Sequence, residues 1–306
     1  MAISLRSRIS QSNLVIELYC CLFLNIYYNG YGGALDLSGS QTNLSIQNTA
    51  FIEVSSENCG AIHTTSTCGI ISARFIRFFR CNAKLHAAFH FGGTKINING
   101  ISVSQCSPIV NYCSNIVGVV GYGYTTAKEI NSTSTNADIH SGIHFYSIPN
   151  FGEIMYFNVV KNTNTGFVYG FNIVSKFFKN QYFNIINNSA TTSLFHILSG
   201  DNGQFLSFIF QSNVGSITYS GFGITKGNIT FFDCVFGQGT VIGPQVIQCI
   251  SCITSPSVIS TFSYFIFNSD ICVPSASEKC ICTNPIIILS KNCWILGFSF
   301  IIHQWT

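Results

Sequence analysis

Apolar residues along this chain come in short alternating bursts, not in helical stripes. One burst closes on an apolar residue, two of any kind, and Asn. It recurs as Ile26–Asn29, Phe79–Asn82, Val159–Asn162, Ile185–Asn188, Phe210–Asn213 and Phe265–Asn268. Weaker copies put Glu57, Cys106, Asp138 and Gly237 in the Asn place. The steps along that series are 28, 25, 24, 32, 24, 26, 25, 24 and 31 residues. A second burst follows each Asn: Gly33-Ala-Leu-Asp-Leu37, Gly60-Ala-Ile-His-Thr64, Ala87-Ala-Phe-His-Phe91, Pro108-Ile-Val-Asn-Tyr112, Ser141-Gly-Ile-His-Phe145, Gly166-Phe-Val-Tyr-Gly170, Ser193-Leu-Phe-His-Ile197 and Ser216-Ile-Thr-Tyr-Ser220. Several units add a third, such as Leu44-Ser-Ile46 and Ile96-Asn-Ile98. The pieces are rich in Phe, Ile, Val and Tyr, as strands prefer, and no amphipathic helix is found.

Three strands per repeat predict a parallel β-helix of about ten coils of roughly 25 residues. One coil cannot bury its inward side chains alone, but stacked coils share a core. Coils about 4.8 Å apart place like side chains above like. A turn that needs a left-handed backbone accepts Asn cheaply, and stacked Asn side chains can bond along the axis. Asn29, Asn82, Asn162, Asn188, Asn213 and Asn268 are therefore the expected turn residues. The expected organisation is an N-terminal segment or cap over 1–21, the β-helix over 22–270, and a Cys-containing cap or truncated anchor region over 271–306. Glu129 to Asn136 and Pro244 to Ser257 read as insertions leaving the rod.

Composition narrows the role. Of 306 residues, 47% are hydrophobic and 8% charged. That excludes a disordered chain and a coiled coil, both of which need charge. A scattered net charge of +3 argues against a nucleic-acid partner. The hydropathy suggests membrane spans, yet Ile96 to Ala127 and Cys234 to Ser269, though uncharged, are broken by Asn, Gln, Ser, Thr or Pro. The apolar run Trp294 to Ile302 is about half the length a helical span needs, and reads as strand or cap. The run Leu14 to Leu24 contains Glu17 and makes a poor secretion signal, so the expectation is that the sequence lacks its true start. Any membrane attachment would use an anchor not visible in this chain.

Fourteen Cys cluster towards both ends, with none between Cys113 and Cys234. Sequons stand at Asn43, Asn131, Asn187 and Asn228. Together they lean towards a cell-surface or extracellular setting. Cys249-x-x-Cys252 and Cys280-x-Cys282 read as disulfides or buried thiols, not zinc, because no His accompanies them.

The blocks Gly32-Gly33-Ala34-Leu35 and Cys59-Gly60-Ala61-Ile62, with Phe-x-x-Asn ending at Asn82, Asn180, Asn213 and Asn268, resemble the tandem repeats of bacterial polymorphic outer membrane proteins and similar protist surface families. The resemblance covers about Leu22 to Asn268. It implies a right-handed, pectin-lyase-like β-helix at a cell surface, with adhesion or antigenic display as its role.

Aligning the second block exposes a column: Asp36, His63, His90, Asn111, His144, Tyr169, His196 and Tyr219. Leu35, Ile62, Phe89, Val110, Ile143 and Phe195 are expected to point inward, so alternation turns this column outward. It reads as a solvent-facing ring ladder or as a binding face for a glycan or acidic partner. His63 and His90 fall on adjacent coils, but no carboxylate obviously completes a metal site. Only 11 Asp plus Glu exist, and none form the pair that polysaccharide cleavage needs. The expectation is a non-enzymatic, adhesin-like protein with no catalytic residue, metal or cofactor, binding host or matrix glycoproteins or glycans. The rivals are a carbohydrate-active β-helix enzyme and a transmembrane β-barrel.

Overall fold

The computed structural model describes residues 8–9, 12–108, 115–137, 140–148, 152–164, 167–173, 178–191, 193–199, 203–221, 229–237, 240–242, 247–254, 294–295 and 298–299. These residues contain no helix, and every pairing within the rod is parallel. The chain winds as a right-handed parallel β-helix with three sides, the hand that parallel crossovers adopt.

The long side stacks Val15–Tyr19, Asn43–Ile52, Ile70–Phe79, the later halves of His86–Ser104 and Asn115–Thr133, then Gly152–Val160, Phe178–Ile186, Gly203–Gln211, Ile229–Phe232 and Ile247–Ile250. The short side carries two-residue strands: Tyr27–Tyr28, Ser55–Ser56, Asn82–Ala83 and Ser107–Pro108, then Asn136–Ala137, Thr163–Asn164 and Ser189–Ala190. The return side holds Leu35–Leu37, Ile62–Thr64, the early halves of His86–Ser104 and Asn115–Thr133, His140–Ile148, Phe167–Ile173, Ser193–Ser199, Gly215–Gly221 and Thr240–Ile242.

Inward alternation builds the core. One column runs Phe23, Phe51, Phe78, Val103, Ser132, Val159, Ile185, Phe210 and Phe236. Phe23 lies 4.8 Å from Phe51, and Phe51 lies 5.1 Å from Phe78, ring to ring. A neighbouring column stacks Phe157, Phe183 and Phe208 at 4.8 and 4.3 Å. Such offset stacks add attraction beyond the area they bury.

Two corners of each coil use left-handed backbone. The long side bends at Cys20, Asn48, Phe75, Gly100, Glu129, Tyr156, Tyr182, Ser207 and Asp233. It passes to the short side at Asn25, Glu53, Arg80, Gln105, Ser134, Lys161, Asn187 and Ser212. The expected turn Asn residues do not hold these places. Asn162, Asn188 and Asn213 sit one position later, with side chains buried in the core. There they form the expected axial ladder. Asn162 Oδ1 accepts from Thr135 N at 3.0 Å, Asn188 Oδ1 from Asn162 N at 2.9 Å, and Asn213 Oδ1 from Asn188 N at 2.9 Å. The side-chain amides of Asn188 and Asn213 donate to Val159 O and Ile185 O at 2.8 and 2.7 Å. The ladder thus satisfies backbone groups of the corner itself. Asn82 lies one column on, opposite Ser107, and Asn29 lies two columns beyond that. Asn180 belongs to a core column between Ile154 and Phe205. Asn268 lies outside the described residues. A repeat read by spacing alone cannot fix register to one residue.

Other expectations shift for the same reason. The rod begins before residue 22: Val15–Tyr19 pairs with Asn43–Gln47, and Leu14, Ile16 and Leu18 are buried. The interrupted apolar run is therefore a coil strand, with Glu17 on its outer face. Glu129 to Asn136 does not leave the rod. Ile130 stacks on Phe157, Thr125–Thr133 pairs with Gly152–Val160 without a register shift, and Asn136–Ala137 pairs with Thr163–Asn164. Ile247–Ile250 and Ile253–Thr254 continue the ladder within the second expected insertion. Fully three-sided coils are fewer than the ten expected, because the short side is last paired as a strand at Ser189–Ala190. A membrane barrel is antiparallel, so this rod is not one. No helix among the described residues is long and apolar enough to cross a membrane. Trp294–Ile295 and Phe298–Ser299 pair antiparallel.

Candidate functional site

The return side carries the histidine column. Register places Arg8, Asp36, His63, His90, Gly118, His144, Gly170, His196 and Thr218 above one another. Four His fall where the repeat puts them. Three expected members do not: Gly118 takes the place given to Asn111, Gly170 that of Tyr169, and Thr218 that of Tyr219. Asn111 itself lies outside the described residues. Tyr169 pairs with Phe195 and Tyr219 with Ile197, one register step away from His196. Of the expected inward set, Leu35, Ile62 and Phe89 are buried, as alternation requires.

The column is not uniformly open to solvent. Its first coils make a closed polar cluster. Asp36 is 3% exposed, and its Oδ1 lies 2.8 Å from His63 Nδ1. That contact fixes the ring with Nδ1–H donating to the carboxylate. His63 stacks on His90 at 5.4 Å and is flanked by Tyr31 at 4.8 Å. His90 Nδ1 faces Thr64 O at 3.1 Å. His86, absent from the repeat reading, packs its ring 4.6 Å from His90 and is also buried. Gly118 makes this possible: a Cβ there would lie 2.8 Å from two atoms of the His86 ring and 3.0 Å from His90. His86 opens its strand at the coil corner, outside the alternating block, so the only sequence signal for it is its i, i+4 spacing to His90.

Burial pushes His90 down to about 4, with the neighbouring His63 adding to the effect and the Thr64 carbonyl opposing it. His90 is therefore a neutral ring at neutral pH. Asp36 supplies the carboxylate missing from the expected two-His site, yet it orients His63 and does not join a ligand set. Among the described residues no group of three or more His, Cys, Asp or Glu is placed to hold a metal.

The cysteines behave as core residues. Cys21, Cys59, Cys68, Cys81, Cys106 and Cys234 are buried. Burial raises the Cys68 and Cys234 thiols, and raises Cys106 well above its ordinary value with the Cys81 thiol contributing. Cys249 is exposed and Cys252 half-buried, both free. The raised thiols of Cys68, Cys106, Cys234 and Cys249 are poor nucleophiles and poor ligands. Cys280 and Cys282 lie outside the described residues.

The outer face of the long side is a second candidate surface. Ser45, Ser72, Asn97 and Thr126 form one column, and Thr126 Oγ1 bonds Asn97 Oδ1 at 3.0 Å. Ser102, Asn131 and Asn158 form another, which ends on the buried Asn184, whose Nδ2 donates to Asn158 Oδ1 at 2.7 Å. Of the sequons, Asn187 is exposed, Asn131 and Asn43 are half-buried, and Asn228 lies outside the described residues. Asn43 Oδ1 accepts from Ile70 N at 2.7 Å, which ties that side chain to the next coil.

Comparison with protein-family models, curated proteins and solved structures finds no match to this chain.

Proposed function

We propose that this protein is a non-enzymatic β-helix displayed at a cell surface or secreted, of the polymorphic-outer-membrane-protein-like kind. It acts as an adhesin-like binder of glycans or glycoproteins. The observation that carries this reading is the outer face of the long side. Its Ser, Asn and Thr columns repeat at coil spacing on a rigid core and present hydroxyls and amides in fixed rows. Sugars are recognised by such groups, and a preformed face binds without the cost of ordering. The reading is tested by binding the intact chain to arrayed glycans and matrix glycoproteins. Combined N97A, T126A and N158A substitutions are expected to weaken binding by tenfold or more while leaving the fold intact (about 1.4 kcal/mol per tenfold). Undiminished binding by that variant sinks the reading.

One observation favours a second reading, a carbohydrate-active β-helix enzyme. The Asp36–His63 pair leaves His63 Nε2 oriented for proton transfer. Among the described residues no second acid is placed beside it, and Glu53 and Glu57 are engaged with Arg80 and Lys84. Release of new reducing or unsaturated ends from a polysaccharide, lost in H63A, is the outcome that would favour the enzyme.

A further inference from the structure

Five arginines occur in the chain, and three of them, Arg74, Arg77 and Arg80, lie on the single strand Ile70–Phe79 and its corner. Arg74 and Arg80 are exposed and Arg77 is half-buried. Each guanidinium rests over a ring: Arg74 over Phe75 at 5.6 Å, Arg77 over Phe79 at 5.2 Å, and Arg80 over the same Phe79 at 4.8 Å. Phe75 holds a left-handed bend, and its ring lies across Gly100 of the next coil, where a Cβ would stand 2.7 Å from it. Gly100 thereby makes room for the platform under Arg74. Rings beneath guanidinium groups restrict their motion and so lower the cost of ordering them on a ligand.

The surroundings leave this ridge positive. Asn43–Ile52 on one neighbouring coil and Ile96–Gln105 on the other contain no charged residue. Gln47 and Asn99 flank Arg74, and Ala50 and Ser102 flank Arg77. The nearby carboxylates are Glu53, 3.4 Å from Arg80, and Glu57, which is paired with Lys84 at 2.7 Å. Arg80 also donates to Gln105 Oε1 at 3.1 Å.

We infer that Arg74, Arg77 and Arg80 form a binding ridge for a sulfated polysaccharide, lying along the coil. The inference rests on the glycan-binding reading above and names the ligand class. Planar forks match sulfate oxygens two at a time, and the Gln, Asn and Ser neighbours supply partners for sugar hydroxyls. The rings are covered by the arginines, so they offer no open platform for nucleobases.

The test uses the intact chain with heparin as probe, against desulfated heparin, single-stranded DNA and polyglutamate of similar length. Heparin is expected to bind best, and R74Q/R77Q/R80Q to weaken it by at least about tenfold with a shallower salt dependence. K128Q/K161Q/K179Q removes the same charge elsewhere and is expected to stay within about twofold. R74K/R77K/R80K, which keeps charge but loses the fork, is expected to fall between. Unchanged circular dichroism in each variant excludes misfolding as the cause. Equal loss in both glutamine variants, or equal binding to desulfated heparin, DNA or polyglutamate, overturns the inference. If the ridge variant still binds glycan arrays like the parent, the ridge is wrong and the glycan reading stands; if the parent binds no glycan, both fail.

Discussion

Single residues carry most of the chemistry of the histidine cluster, and His90 carries its pH response. In the folded chain its proton affinity is lowered to about 4, while in the unfolded chain it is near 6.5. The unfolded state therefore binds the extra proton first as pH falls. Stability from this residue is fully present above pH 6.5 and is lost as pH drops from there towards 4. At pH 5 the loss amounts to about 2 kcal/mol relative to pH 7. Urea midpoints of the parent should fall over that range more steeply than those of H90F, the difference between the two isolating His90 from His63, His86 and Asp36. Parallel slopes in the two proteins would rule out this account. The column reading found His63 and His90 by counting. It missed His86 and the space-giving Gly118, because which ring fills a gap is decided by neighbours on other coils.

The coil is the unit at the next scale, and its corner shows how elements are joined. Left-handed Lys161, Asn187 and Ser212 turn the chain, and the following Asn162, Asn188 and Asn213 tie each corner to the next. Asn188→Ala leaves the Asn162 N–H and the Val159 carbonyl without their partner, at a cost of about 2–4 kcal/mol. Asn187→Gly, one residue earlier, keeps a backbone that glycine adopts freely and should change stability by less than about 0.5 kcal/mol. Chemical denaturation of both variants checks the assignment; the opposite ranking would restore the turn role to Asn188. Spacing of about 25 residues revealed this repeat but left its phase open by one to three positions, as Asn29 and Asn82 illustrate.

For the whole molecule, stability is a sum over coils and the contacts between neighbours. The coil that holds Ile71–Phe79, Asn82–Ala83 and the start of His86–Ser104 is paired on both flanks and on all three sides. Ile247–Thr254 pairs with the preceding coil, and its Ile250 and Ile253 are 46% and 57% exposed. Amide exchange should be slowest in the former strands and faster by at least about a hundredfold in the latter, since opening free energies vary along such a rod. A single exchange rate throughout would show one cooperative unit instead.

The sequence by itself determined the β-helix, because alternating Phe, Ile and Val in units of three can bury their apolar face only by stacking. It also determined that four His share one column and that Asn residues bond along the axis. Tertiary structure decided what spacing cannot encode. Pairing between coils set Gly118 beside His90, and a one-residue shift between His140 and Ile143 set Tyr169 beside Ile143 and Gly170 beside His144. Burial of Asp36 against His63, and of His86 over Gly118, turned an expected open ladder into a closed cluster. The long uncharged strands flanking Arg74, Arg77 and Arg80 were likewise readable as text, but only coil stacking set them beside the arginines.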